Sequence, residues 1–159
     1  MLCELIALAC TVAHGDLVKT RATSLRKEWK VGKITKVLDG IHPNFFPRAA
    51  TQERIRPGHF KYTRLSTKES MSKAELNRLY NICGDRGPHR GHIGNLDKIS
   101  KKSLTENFQE IISWTTRITE LLSAHVISLL DGQTKYTCTL KTLPDGHVSF
   151  ARVEKLDEA

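Results

Sequence analysis

No stretch of this chain approaches the ~20 apolar residues that a membrane helix needs. Cys-x-x-Cys pairs, the Gly-x-Gly-x-x-Gly run and a P-loop ending in Lys-Ser/Thr are also missing, as are internal repeats and low-complexity tracts. Each absence removes a class. Four scattered cysteines, Cys3, Cys10, Cys83 and Cys138, do not make a disulfide framework, and they suit a reducing cytosol in a cytoplasmic protein. Without a phosphate-binding glycine motif there is no basis for nucleotide hydrolysis. Acidic residues are scarce up to Lys102, where nine Asp/Glu face twenty Lys/Arg, whereas from Ser103 onward eight face five. The net charge of +8 therefore belongs to the first two-thirds. A field of that sign attracts nucleic acid, anionic lipid or an acidic protein, and it also keeps a protein soluble.

What is present fits an ordinary domain of 159 residues, long enough to build a core without metal or disulfide staples. The most apolar run, "LCELIALACTVA", is interrupted by Glu4 and lacks a basic lead-in, so it reads as a core helix and not as a signal or membrane anchor. Leu2 to His14 has almost no polar face. Such a helix is expected to be buried on most sides, by its own chain or by a second subunit.

A second helix is expected from Thr23, with Leu25, Trp29, Val37 and Leu38 inward and Arg26, Lys27, Lys30, Lys33 and Lys36 outward. "HPNFFPR" stops it, and the basic stretch after Arg48 reads as irregular, with a short strand near Phe60 to Tyr62. Ser72 and Glu75 form a capping-box pattern that opens a helix to about Cys83. Ser103 and Glu106 repeat it before the longest apolar stripe, which runs from Phe108 to Leu130. After Asp131-Gly132 the period changes to two, and Thr134 to Val153 reads as a β-hairpin. The expected fold is a mainly α, bundle-like single domain, helical over residues 1–130, with a C-terminal hairpin over 134–153.

Chemistry concentrates in "NICGDRGPHRGHIG", Asn81 to Gly94. Cys83, His89 and His92 offer metal-ligand types, but their spacing matches no familiar zinc run, and neither a metal nor a cofactor is expected. Glycines 84, 87, 91 and 94 beside Arg86, Arg90 and two histidines suit an anion nest, hence a nucleic-acid backbone. Arg86 and His92 also supply a cation and an imidazole, the pair needed for metal-independent RNA cleavage.

A helical chain carrying Arg-x5-His within "LYNICGDRGPHRGH" resembles the HEPN superfamily, compact helical proteins that are often dimeric, many of them RNases of toxin or antiphage systems. The resemblance implies catalysis by Arg86 and His92. Phosphate contacts are expected from His89 and Arg90, and from the surface cations Arg26, Lys27, Lys30 and Lys33. Gly87-Pro88 departs from the motif, where the family has continuous helix. Two functions stand open on the sequence: an RNA-associated protein with RNase activity, or a non-catalytic module that uses its basic surface or hairpin to bind a partner protein. The partners expected are RNA, a second copy of the chain in a homodimer or a partner protein, and no membrane.

Overall fold

The computed structural model describes residues 1–15, 28, 30–66, 69–86 (85 and 86 as backbone), 103–140 and 148–153. Four helices and five strands are formed among them: α1 (Leu2–Ala13), α2 (Val31–Ile41), β1 (Arg48–Arg56), β2 (His59–Arg64), α3 (Lys73–Arg86), α4 (Leu104–Ser123), β3 (Ala124–Ser128), β4 (Lys135–Leu140) and β5 (Val148–Val153). The strands make one antiparallel sheet in the order β2-β1-β3-β4-β5. This overturns the mainly α bundle: the C-terminal hairpin exists as β4–β5, but it is the far end of a five-stranded sheet.

Two local features make the difference. The helical stripe expected to reach Leu130 stops at Ser123, and Ala124 takes extended dihedrals, φ −153° and ψ 134°. Val126 and Ile127 are β-branched, and each residue from Ala124 to Ser128 finds a ladder partner on β4, so pairing overrides an i, i+3, i+4 pattern that continued only by coincidence. The basic stretch after Arg48 is likewise an ordered pair of strands. Pro57-Gly58 turns it, with Gly58 at φ +78°, the left-handed geometry a tight turn asks of glycine.

The helical readings that held did so through short-range chemistry. Both capping boxes form, Ser103 N–H donating to Glu106 Oε2 at 2.7 Å and Ser72 N–H to Glu75 Oε2 at 2.9 Å. α3 continues past Gly84 to Arg86, where the described residues stop. α2 corrects the expectation: it starts at Val31, after an extended Lys30, and buries Val31, Ile34, Thr35 and Leu38 at i, i+3, i+4, i+7, of which only Leu38 was expected inward, while Thr35 exchanges hydrogen bonds with Asn77 of α3. The expected stretch from Thr23 to Trp29, apart from Glu28, lies outside the described residues.

The core gathers Cys3, Ile6, Ala7 and Cys10 of α1 with the inner faces of α2 and α3, Phe45, Ala49 and Leu121. α1 is buried on one face only: Leu2, Leu5 and Val12 are exposed, Val12 by 79%. α4 packs on β1, β3 and β4, and only its last turns reach the core.

Candidate nucleic-acid interface

Beyond Ala49, β1 has β2 as its single ladder partner, because its pairing with β3 is confined to Arg48↔Val126 and Ala49↔His125. The two strands therefore leave the sheet as a ribbon. From Thr51 to Arg64 every residue is exposed except the half-buried Tyr62. The ribbon, residues 48–64, carries Arg48, Arg54, Arg56, Lys61 and Arg64 against one carboxylate, Glu53. None of these five cations makes an ion pair among the described residues. Arg48 donates to Asn44 Oδ1 at 3.0 Å, which anchors the base of the ribbon.

Register sorts the side chains. Directly opposed residues of an antiparallel pair share a face, so Ala50 and Arg64, Gln52 and Tyr62, and Arg54 and Phe60 lie on one side. Thr51 and Thr63, and Glu53 and Lys61, lie on the other. The first side thus combines two guanidinium groups, two aromatic rings and an amide. Gln52 Nε2 donates to the Tyr62 oxygen at 2.9 Å, fixing that ring, while Phe60 is 45% exposed. The second side holds the only acid, opposite Lys61. A bulge between Arg54 and Arg56 brings Arg56 opposite His59 at the tip.

The residues expected from sequence fare differently. Arg86 is the last residue of α3, and His89, Arg90 and His92 lie outside the described residues, as do Arg26 and Lys27. Lys30 is exposed at the start of α2, but Lys33 pairs with Glu28 at 3.0 Å, which compensates its charge. Of the metal reading, Cys83 alone is described, exposed in α3, and no group of three potential ligands forms among the described residues. Sequence reasoning missed the ribbon. Pro57-Gly58 between two stretches with β-branched or aromatic residues was the signal that could have found it.

Three buried or half-buried histidines serve the fold. His14 Nε2 meets the Phe45 carbonyl at 3.1 Å, His42 Nε2 the Ser128 carbonyl at 2.9 Å, and His125 Nδ1 the Leu121 carbonyl at 2.9 Å. A carbonyl only accepts, so each ring donates an N–H to it. Burial holds His14 and His125 below the ordinary imidazole pKa, favouring the neutral ring. These are structural anchors.

A second surface is defined by its lack of charge. Successive α4 residues advance by about 100°, which places Leu104, Phe108, Ile111, Ile112, Thr115 and Leu122 along one stripe. Glu106, Glu110, Arg117 and Glu120, all the charges of α4, project from the other half of the helix. The stripe is uncovered: Phe108 is 59% and Ile111 61% exposed. Beside it opens a cleft of about 540 Å³ that reaches Met1, Leu2, Leu79, Cys83 and Trp114.

No protein-family model, no curated protein and no solved structure matches the chain. The likeness to the HEPN superfamily thus rests on the Arg86-x5-His92 spacing and its surroundings alone.

Proposed function

We propose that this protein binds nucleic acid, with the β1–β2 ribbon as its contact surface. The observation that carries this is the ribbon's five cations without an ion pair among the described residues, set against one carboxylate on an arm exposed along both faces. Charge on an edge strand also discourages edge-to-edge pairing, but that purpose gives no reason for Phe60 and Tyr62 beside the arginines. Of the cations expected from the sequence, Lys33 is paired with Glu28, and the ribbon adds Arg54, Arg56, Lys61 and Arg64 as contacts. Four cysteines without a disulfide fit action in a reducing compartment such as the cytoplasm. The test is binding of RNA by the full chain across a salt series. Affinity should fall steeply with salt as condensed counterions are released, and Arg54→Glu with Arg56→Glu should weaken it and flatten the slope. Binding that ignores salt, or that survives both reversals unchanged, would remove the ribbon from the interface.

The charge-free α4 stripe favours a second, compatible role, self-association. Leu104, Phe108, Ile111, Ile112 and Leu122 are exposed along a stripe that carries threonines but no charge, and exposed apolar side chains grouped on one surface mark interaction sites. A two-fold interface sets the same patch against itself. In a basic protein a face without charge is the surface on which two copies meet without repulsion.

A further inference from the structure

We infer that the ribbon takes single-stranded nucleic acid by stacking unpaired bases on Phe60 and Tyr62, an inference that rests on the nucleic-acid reading above. Three observations converge. Phe60 and Tyr62 are two residues apart on β2, so their side chains leave the same face, separated by about 7 Å at the ~3.4 Å rise of a strand. Arg54 lies opposite Phe60, and Arg64 stands two residues beyond Tyr62 on the same face, so one cation stands beside the first ring and another beyond the second. Tyr62 is held by Gln52, whose amide oxygen, like the tyrosyl hydrogen, has no protein partner among the described residues. Along the ribbon the order is Phe60 with Arg54 beside it, then Tyr62 with Gln52 beside it, then Arg64.

Ligand class follows from that order. In a duplex, base faces are already stacked on each other, and a cationic ribbon reads it through phosphates and groove edges, leaving exposed rings without use. An unpaired base offers a free π-face, and aromatic platforms flanked by positive charge are the general means of holding it. The carboxylate, Glu53, projects from the opposite side, where it does not repel a strand lying across the rings. RNA and DNA single strands share this chemistry, since each supplies unpaired bases on a phosphate backbone.

The experiment is fluorescence anisotropy on the full chain with three labelled probes of one mixed sequence: single-stranded RNA, single-stranded DNA, and the RNA annealed to its complement. Both single strands should bind more tightly than the duplex. Phe60→Leu and Tyr62→Leu should each weaken single-strand binding by roughly 5- to 100-fold while leaving the salt slope and duplex binding unchanged, because the rings carry no charge. Phe60→Tyr, which keeps a ring, should bind as the wild type does, and circular dichroism checks that each variant is folded. A preference for one sugar over the other adds a contact to the ribose and keeps the stacking. Salt-dependent binding that is equal for duplex and single strand, or untouched by Phe60→Leu and Tyr62→Leu, overturns the stacking inference and leaves the ribbon as a phosphate contact. No binding to any probe at low salt overturns both.

Discussion

Leu121 and Leu122 are neighbours in sequence with opposite surroundings. Leu121 is 1% exposed and sits in the core with Phe45 and Ala49, whereas Leu122 is 38% exposed on the edge of the open stripe. Leu121→Ala should therefore cost about 2 to 5 kcal/mol, the range for a buried leucine that leaves a cavity. Leu122→Ala should cost clearly less than the lower end of that range. Urea denaturation of the two variants checks this, and equal losses would mean that the end of α4 is covered. Cysteines divide in the same way. Burial pushes the Cys10 thiol up to about 12, so its thiolate is scarce at neutral pH, while Cys83 is exposed. Alkylation of the folded protein should mark Cys83 first and Cys10 only on unfolding, as peptide mapping by mass spectrometry would show. Preferential labelling of Cys10 in the folded protein would contradict the buried face of α1.

At the scale of elements, α1 is held to the turn after α2 by His14 and the Phe45 carbonyl, and β3 is tied to the end of α4 by His125 and the Leu121 carbonyl. Both rings titrate below the ordinary imidazole value because burial disfavours their charged form. As pH falls, the unfolded chain, with histidines near 6.5, takes up protons before the folded one does. Stability is thus full above about 6.5 and declines as the pH drops through that value toward the depressed ones. Urea midpoints measured from pH 7.5 down to 5 should fall, and His125→Asn should flatten part of the decline. A midpoint that rises toward pH 5 would mean the histidines gain from charging in the fold. The same elements show what the sequence makes legible. Capping boxes at Ser72 and Ser103 and the β4–β5 hairpin are written in neighbours a few residues apart, and were readable, whereas of the buried α2 stripe only Leu38 was. The helix-to-strand change at Ala124 was not, since it depends on β1 and β4, partners far away in the chain. The ribbon failed to stand out because neither of its faces is buried, so no alternation of apolar and polar residues marks it.

On the scale of the whole molecule, two surfaces among the described residues stand apart in character. Five cations without an ion pair among the described residues stand on the ribbon at one edge of the sheet, while α4 confines its few charges to one half of its circumference and leaves the other uncharged. The two surfaces suit different partners, phosphates for the first and another apolar face for the second. If a second copy covers the α4 stripe, two ribbons are carried by one particle, and a strand long enough to reach both gains affinity without any new contact. Sedimentation at increasing protein concentration should then show a monomer passing to a dimer. Ile111→Glu should hold the chain as a monomer, because it places a charge in an interface that has none, yet it should leave folding intact, since Ile111 is already mostly exposed. The monomeric variant should bind a short single strand as the wild type does and lose affinity only for a long one. A wild type that stays monomeric at all concentrations would show that copies of the chain do not cover this stripe. A dimer that persists in Ile111→Glu would place the interface elsewhere, with the outer face of α1, Leu2, Leu5 and Val12, as the next surface to alter.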